Sequence, residues 1–362
     1  MDYKLVEVNS KKELKEFIML PFDLYKQDPH WVAPLIGDQI AFFNPKKNPY
    51  YRHSDVQLFM VKDKNKVVGR ISAHTNTMHN KFYGDKVGFF GFFETIDKQE
   101  VAHLLIERAI TWLEERGCES IRGPFNFSTN DECGLLIDGF ESSPFVMMTH
   151  NHKYYENLIE KEGLVKAKDL YAWLLESNEM PAFLQKLGEG ILAKETSFKV
   201  RDLNKKNLKQ EIEAVFTIYQ KAWEKNWGFV PMTRDEFDHL VQTLLPIVIP
   251  ELVFIAEVDG EPAGFSVALP DYNQILKRLK GRVLPTGVFK ALYYKNKIHS
   301  LRVITMGVIS EYQNRGIDGL FYYYTWKIGL AMGYNIGEFS WVLEDNDKMN
   351  KIAQHLGAHV HK

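Results

Sequence analysis

Two stretches of the chain, Lys4–Val8 and Lys199–Leu203, alternate apolar and polar residues at the two-residue period of a half-buried strand. Each leads into a helical pattern. In the later copy it covers Leu208–Glu224, with Leu208, Ile212, Val215, Phe216, Tyr219 and Trp223 on one face. Thr233 and Glu236 have the T-x-x-E spacing of a capping box and open a helix through Leu240 and Leu244. Leu252–Val258 and Pro262–Ala268, joined by Asp259-Gly260, read as a hairpin, because Asp-Gly accepts the positive φ angles of a tight turn. Leu58–Asp63 and Val67–His74 are the earlier counterpart. Val87–Glu94 and Val303–Ile309 are apolar runs that read as buried strands. Helices Lys98–Arg116 and Gly316–Met332 follow them. On the first, Val101, Leu104, Leu105, Ala109, Trp112 and Leu113 share a face, with Asp97 as cap and Gly117 as stop. Strands at Ser120–Phe125 and Ile336–Leu343 come next, then helices ending at Gly163 and Gly357.

The order β-α-α-β-β-β-α-β-α-β therefore occurs twice, and residue matches keep step with it. Lys4-Leu5-Val6-Glu7-Val8-Asn9 resembles Lys199-Val200-Arg201-Asp202-Leu203-Asn204. Phe22 and Tyr25 recur as Phe216 and Tyr219, and Gly91, Gly117 and Gly163 as Gly307, Gly333 and Gly357. An internal repeat of this kind organises the whole chain. We read a tandem α/β protein, each half a mixed sheet with helices on its faces. The halves are residues 1–176 and 198–362, linked by a helix and connection over Ser177–Ser197. The second half carries an addition after Leu269, the first an addition between Gly117 and Gly163. Such additions often carry function, because loops vary more freely than cores. After Gly163 the first half runs on through an evident strand in Val165–Glu176, while few residues follow Gly357. The last strand of the second half is therefore short, or the sequence stops before its end; if it is short, a neighbouring half or a second copy in a homodimer could complete that sheet edge.

Composition narrows the class. A chain of 362 residues suits two domains. Its 45% hydrophobic and 25% charged residues exclude a disordered chain. A formal charge of −2 provides no global field to recruit nucleic acid or anionic membrane. The N-terminus lacks the apolar core of a signal peptide, and no apolar run approaches the ~18 residues of a membrane helix. Cys118 and Cys133 form no CxxC or framework spacing. His150 and His152 lack further ligands at metal spacing, and HExxH, GxSxG and P-loop patterns are absent. The expectation is a cytoplasmic protein with neither a metal nor a membrane partner.

The informative stretch is Val303–Gly319: an apolar strand, a polar turn with glycines, then an apolar helix. A helix start presents unpaired backbone N–H groups and the positive end of a dipole, so it suits an anion such as a pyrophosphate. Arg315 adds charge. The alternative is a glycine turn that only starts a helix. Gln313-Asn314-Arg315-Gly316-Ile317-Asp318 resembles the (Q/R)-x-x-G-x-(G/A) signature of the GNAT (Gcn5-related N-acetyltransferase) superfamily, and the element order resembles that fold in both halves. The resemblance implies two tandem GNAT folds. It implies that Gln313, Asn314, Arg315, Gly316, Ile317, Asp318 and Gly319 cradle the pyrophosphate of acetyl-CoA or another acyl-CoA. It further implies that Met306, Gly307 and Val308 bind the pantetheine arm on a strand that splays from its neighbour.

Only the second half carries the signature. Asp97 and Glu100 occupy the positions of Gln313 and Gly316 in the first half, where they would repel a pyrophosphate, so that half is expected to lack coenzyme. The second half departs from the family as well. Asp318 stands where Gly or Ala is usual, and Ala353 replaces the tyrosine that often protonates the departing thiolate. Asn346 matches the asparagine that often opens the last helix.

N-acylation needs a neutral amine and a route for its proton. Glu344, at a strand end, is the candidate base, with Asp345 and Glu311 as substitutes; a solvated strand-end carboxylate is the alternative. In the first-half addition, Asn126, Ser128, Asn130, Asp131 and Glu132 form either a polar wall of the acceptor pocket or a loop stitched by its own Asx and Ser/Thr turns. Trp223 and Trp227 form either an aromatic lid or core. The second-half addition, Asp271–Ser300, mixes Lys277, Arg278, Lys280, Arg282, Lys290, Lys295 and Lys297 with Leu279, Phe289, Leu292 and Tyr293. It could close over the coenzyme, bind an acidic partner, or be a solvated face on a packed helix. The leading reading is an acyl-CoA-dependent N-acyltransferase acting on a small-molecule or peptide amine. Alternatives are a non-catalytic acyl-CoA-binding scaffold and a tRNA-dependent aminoacyl transferase of the peptidoglycan-bridge type.

Overall fold

The computed structural model describes residues 2–194, 197–285 and 287–362, so residues 195 and 196 of the expected linker and residue 286 of the second addition lie outside the described residues. The chain forms two compact units. One comprises Met1–Ala167, Val230–Glu236 and Ile275–Ala291; the other comprises Lys168–Phe229, Phe237–Gln274 and Leu292–Lys362.

The first unit begins with β1 (Tyr3–Glu7), α1 (Lys11–Leu24), α2 (Ile36–Phe42), β2 (Val56–Asp63) and β3 (Lys66–Thr75). It continues through α3 (Thr77–Tyr83), β4 (Val87–Thr95), α4 (Gln99–Glu114), β5 (Ser120–Arg122) and α5 (Tyr154–Glu160). Its five strands lie in sequence order, antiparallel except for the parallel pair β4–β5. One face packs Phe59, Val61, Ile71 and Phe90 against Val101, Leu105, Ala109 and Trp112 of α4, the stripe expected from the sequence. Burying such side chains contributes about 1.5–3 kcal/mol each. The other face packs Met60 and Phe92 against Phe17 and Ile18 of α1. The cap expected at Asp97 is not formed; Lys98 takes the cap position without a side-chain hydrogen bond.

The second unit contains β6 (Leu170–Glu176), α6 (Ala182–Lys194), β7 (Phe198–Asp202), α7 (Leu208–Ala222), α8 (Arg234–Leu244), β8 (Val253–Val258) and β9 (Glu261–Pro270). The chain then forms α9 (Asn273–Leu279), α10 (Gly287–Lys295), β10 (Ser300–Val308), α11 (Ile317–Ala331), β11 (Ile336–Leu343), α12 (Asp347–His355) and β12 (His359–Val360). Parts of α8, α9 and α10 belong to the first unit by the division above. The β8–β9 turn has φ 53° at Asp259 and 84° at Gly260, as the Asp-Gly pair requires. The seven strands run in the order β12-β6-β11-β10-β9-β8-β7.

The strand expected after Gly163 is therefore β6, and it lies in the second sheet. It inserts antiparallel between β11 and β12, and Ala172, Trp173 and Leu175 are buried there. β12 has two residues and β11 eight, and β6 with seven pairs along β11. The edge that the sequence left open is filled by a strand from the first repeat.

Candidate functional site

The parallel β10–β11 ladder runs from Ser300–Ile336 to Val303–Phe339 and ends there, although β10 continues to Val308 and β11 to Leu343. β10 shifts register against β9 between Val303 and Thr305, and β11 shifts against β6 between Phe339 and Val342. Bulges bend strands. Here both strands bend beside the same rung, so they part as a fork whose β10 arm is Ile304–Val308. Its two faces differ. Leu301, Val303 and Phe339 pack with Leu320, Tyr322 and Trp326 of α11. On the opposite face Gly307 lies under the Trp223 ring, which a Cβ there would approach to 2.3 Å. Trp223 thus covers the arm of the fork, whereas Trp227 is half-buried in the turn after α7.

Past the fork, the polar turn leads into α11. The side-chain amide of Gln313 donates to the Val308 carbonyl at 3.1 Å and ties the turn to the strand. Gln313, Asn314 and Arg315 are exposed. Gly316 has φ 93°, left-handed backbone that suits glycine, and is the N-cap position without a side-chain cap. Ile317 and Gly319 are buried. Ile191 of α6 would lie 2.9 Å from a Cβ on Gly319, so that glycine also serves helix packing. Asp318 accepts from the Gly319 N–H at 3.1 Å and pairs with Lys348 at 2.8 Å. The carboxylate that disturbs the signature is therefore balanced by a neighbouring cation.

The first unit contains the same fork, closed. β4 and β5 pair only from Val87–Ser120 to Phe89–Arg122. Beyond that rung the Phe125 N–H donates to the Phe90 carbonyl at 2.7 Å, and the Phe92 N–H donates to Asn126 Oδ1 at 2.8 Å. A Cβ on Gly91 would meet the Phe125 oxygen at 1.8 Å. The loop's own backbone fills the slot, and Asn126 is the peg. The slot left between the strands of the second unit is here taken up by the chain's own backbone.

The rest of that loop forms a polar cluster with His53 and Glu236 of the same unit. Ser128 Oγ donates to Asp131 at 3.0 Å and accepts from the Asn130 N–H at 3.1 Å. The Asn130 amide donates to the Val230 carbonyl at 3.4 Å, and exposed Glu132 accepts from Asn126 at 3.4 Å. Burial pushes Asp131 up to about 7, helped by the charges of Glu236 and Glu132 and opposed by the Ser128 hydrogen bonds. His53 Nε2 lies 2.9 Å from Glu236, whose other oxygen accepts from Thr233 N–H and Oγ1 at 2.8 Å. Burial raises the Glu236 carboxyl, but His53 and Thr233 pull it below its ordinary value.

Other sequence candidates are structural in their contacts. Glu344 accepts from the Asp169 N–H at 3.2 Å and lies 3.9 Å from Lys168, clasping the ends of β11 and β6. Asn346 caps α12 through the Met349 N–H at 3.2 Å. Ala353 is buried in the α12 face.

A group not anticipated from the sequence sits at the root of the fork. Arg302 and Glu338 face each other one rung before its opening. Both are buried, 3.6 Å apart. Arg302 Nε donates to Ser340 Oγ at 2.8 Å, Ser340 donates to Glu338, and His361 Nε2 lies 2.8 Å from the other Glu338 oxygen. Strand alternation places Arg302 and Glu338 on the face away from α11. The signal was a lone Arg and a lone Glu inside strands that carry no other charge.

No family model matches the chain. It is 35% identical over 374 residues to the bacterial ceramide synthase of Caulobacter vibrioides, covering 100% of this chain and 96% of that protein. It is 34% identical over 362 residues to Protein YghO of Escherichia coli, covering 98% and 92%. Among solved structures, a tandem GNAT protein from the clavulanic acid biosynthesis pathway matches with a TM-score of 0.56 and 10% identity, covering 99% of this chain and 96% of that one. A GCN5-related glucosamine N-acetyltransferase region of a fungal β-N-acetylglucosaminidase gives 0.58 and 15%, covering 97% of this chain and 36% of that one. The two mixed sheets, one with an open fork and one with a closed fork, are thus tandem GNAT folds. The chain belongs to the family of the Caulobacter vibrioides bacterial ceramide synthase and Escherichia coli Protein YghO.

Proposed function

We propose that this protein is an acyl-CoA-dependent N-acyltransferase whose acceptor is a long-chain amine of the sphingoid-base class. The observation that carries the reading is the open fork beside an uncapped helix start, present in the second unit and plugged in the first. The acceptor class follows from whole-chain similarity to a protein named a ceramide synthase. The residues fit the coenzyme. Met306, Gly307 and Val308 would offer backbone groups to an extended arm, as an exposed strand edge does to a peptide. The first-turn amides of α11 from Gly316 to Asp318, with Arg315, would meet the diphosphate, and Asn346 would keep α12 in register.

When bound, acyl-CoA supplies an activated thioester carbonyl and a thiol leaving group. The chain's part is to hold the amine and accept its proton. We assign the proton to the His361 imidazole, oriented by Glu338, with Arg302 balancing the carboxylate. Glu344, occupied by Asp169 and Lys168, is the rival. The polar residues Ser128, Asn130, Asp131 and Glu132 keep their loop in shape beside Glu236. A non-catalytic acyl-CoA binder is the second reading, favoured by Ala353 at the position of the usual acid.

Calorimetry with acyl-CoAs of increasing chain length, on the wild type and Gly316→Glu, tests the coenzyme site; equal affinity for both removes it. Thiol release with sphingoid bases tests turnover. His361→Gln should lower turnover without changing acyl-CoA affinity, and Glu344→Gln should leave both intact. Tight coenzyme binding without thiol release would favour the binder.

A further inference from the structure

The second-half addition behaves unlike a solvated polar face. In α10 the residues directed inward are Gly287, Ala291 and Tyr294, which are buried or half-buried. At 100° per residue, the opposite direction holds Phe289 and Leu292, flanked by Val288 and Tyr293. These are 75%, 67%, 44% and 63% exposed, and Leu284 just before the helix is 77% exposed. The apolar stripe therefore points to solvent, the reverse of a helix on a globular surface. Along the segment itself the charge is of one sign. Between Tyr272 and Ser300 there is no Asp or Glu, and every Lys and Arg in the segment is exposed. The whole chain, by contrast, has a formal charge of −2.

An outward apolar stripe edged only by cations matches an anionic phospholipid surface: the aromatic and aliphatic tips enter the headgroup boundary while Lys and Arg stems reach the phosphates. We infer that the segment Lys277–Lys297 docks this protein peripherally on anionic membrane. Among the described residues no helix is long and apolar enough to cross a membrane, so the contact is superficial. An acidic protein partner would supply the charge but not a reason for an unbroken exposed stripe of Leu284, Phe289, Leu292 and Tyr293. The inference rests on exposure and charge, independently of the acyltransfer reading; if both hold, the surface that receives the protein is also where a long-chain amine resides.

The test is co-sedimentation of the full chain with vesicles of phosphatidylcholine alone and of phosphatidylcholine with phosphatidylglycerol, with no coenzyme or amine added. The expected result is binding to the anionic vesicles, weakened by salt. Phe289→Ser/Leu292→Ser should reduce it at least ~10-fold, given about 0.8 kcal/mol per buried CH₂. Lys280→Glu/Arg282→Glu/Lys290→Glu should do likewise, each charge counting ~fivefold near such a surface. Both variants alter exposed side chains and should keep the wild-type circular dichroism. Wild-type and variant chains partitioning alike, or wild type ignoring anionic vesicles, overturns the proposal. So does a wild-type dimer in sedimentation without lipid that Phe289→Ser/Leu292→Ser dissolves, because the stripe would then be an interface between copies. Loss of thiol-release activity with intact vesicle binding would count against the proposed reaction alone.

Discussion

The contrast between the two forks can be tested at Asn126. Its Oδ1 accepts the Phe92 N–H at 2.8 Å, and Phe92 is held at φ 50°, a conformation unfavourable for a bulky side chain. Asn126→Ala removes the acceptor. Phe92 is buried, so its N–H loses a partner, which costs about 1–3 kcal/mol. Asn126 is only half-buried and water can reach part of the gap, which argues for roughly 2 kcal/mol. The second contact, from Nδ2 to exposed Glu132 at 3.4 Å, is long and adds little. The Phe125–Phe90 backbone hydrogen bond remains, so the slot stays shut. Urea unfolding should show a midpoint shift corresponding to that loss. Calorimetry should show unchanged acyl-CoA affinity and stoichiometry. A variant that keeps its stability but binds acyl-CoA weakly would refute the reasoning, because Asn126 would then be touching the ligand. A second equivalent of coenzyme bound would refute it too, by showing that the peg alone closed a working site.

Two other substitutions address charge. Lys348→Glu leaves Asp318 without its partner and sets two carboxylates beside the start of α11; acyl-CoA affinity should fall, and the loss should shrink at high salt because residue 348 is exposed. Asp131→Asn should alter the pH dependence of stability. The Asp131 carboxyl is raised to about 7, so between about pH 4 and that value the folded state keeps a proton that the unfolded state has released, and stability falls as pH rises. The full shift corresponds to about 4 kcal/mol; Asp131 retains partial solvent access, which reduces this to ~2 kcal/mol. Urea unfolding at about pH 5 and pH 8 should show that decline in the wild type and not in the variant.

Much of this was legible in the residues, for local reasons. Asp259-Gly260 dictated its turn, the apolar stripe of α4 its packing, and Gln313–Gly319 a turn into a helix start, since each depends on near neighbours in sequence. What escaped depends on distant partners. The polar density around Asn126 was visible, but not that one of those side chains would be used on the Phe92 N–H. The amphipathic pattern of α10 was visible, but periodicity does not say which face a fold covers. Glu344 looked available because its partners, Lys168 and the Asp169 N–H, arrive with β6. Arg302 and Glu338 lie far apart in sequence, and only the strand register shows that the two opposite charges meet at one rung, as a buried pair must.

The placement of β6 has its own consequence. A strand from the first repeat separates β11 from β12, and its Trp173 packs in the core with Phe339, Tyr322 and Ala353 while donating its indole N–H to Asn350 of α12 at 2.9 Å. Although Trp173 belongs to the first repeat in sequence, its loss should be felt by the second sheet. Trp173→Ala removes a side chain that is 5% exposed and leaves a cavity, a change that costs about 3–5 kcal/mol. Native-state hydrogen exchange reads where that cost falls. Protection at Leu301, Val303 and Phe339 should drop, whereas Phe59, Val61 and Ile71 of the first sheet should keep theirs. Equal losses in both sets would mean that the two units open as one and that strand exchange does not set the boundary of cooperativity. Loss confined to the first set would mean that β6 is energetically part of the repeat it comes from, and the fork at β10–β11 would then have to be held by β9 alone.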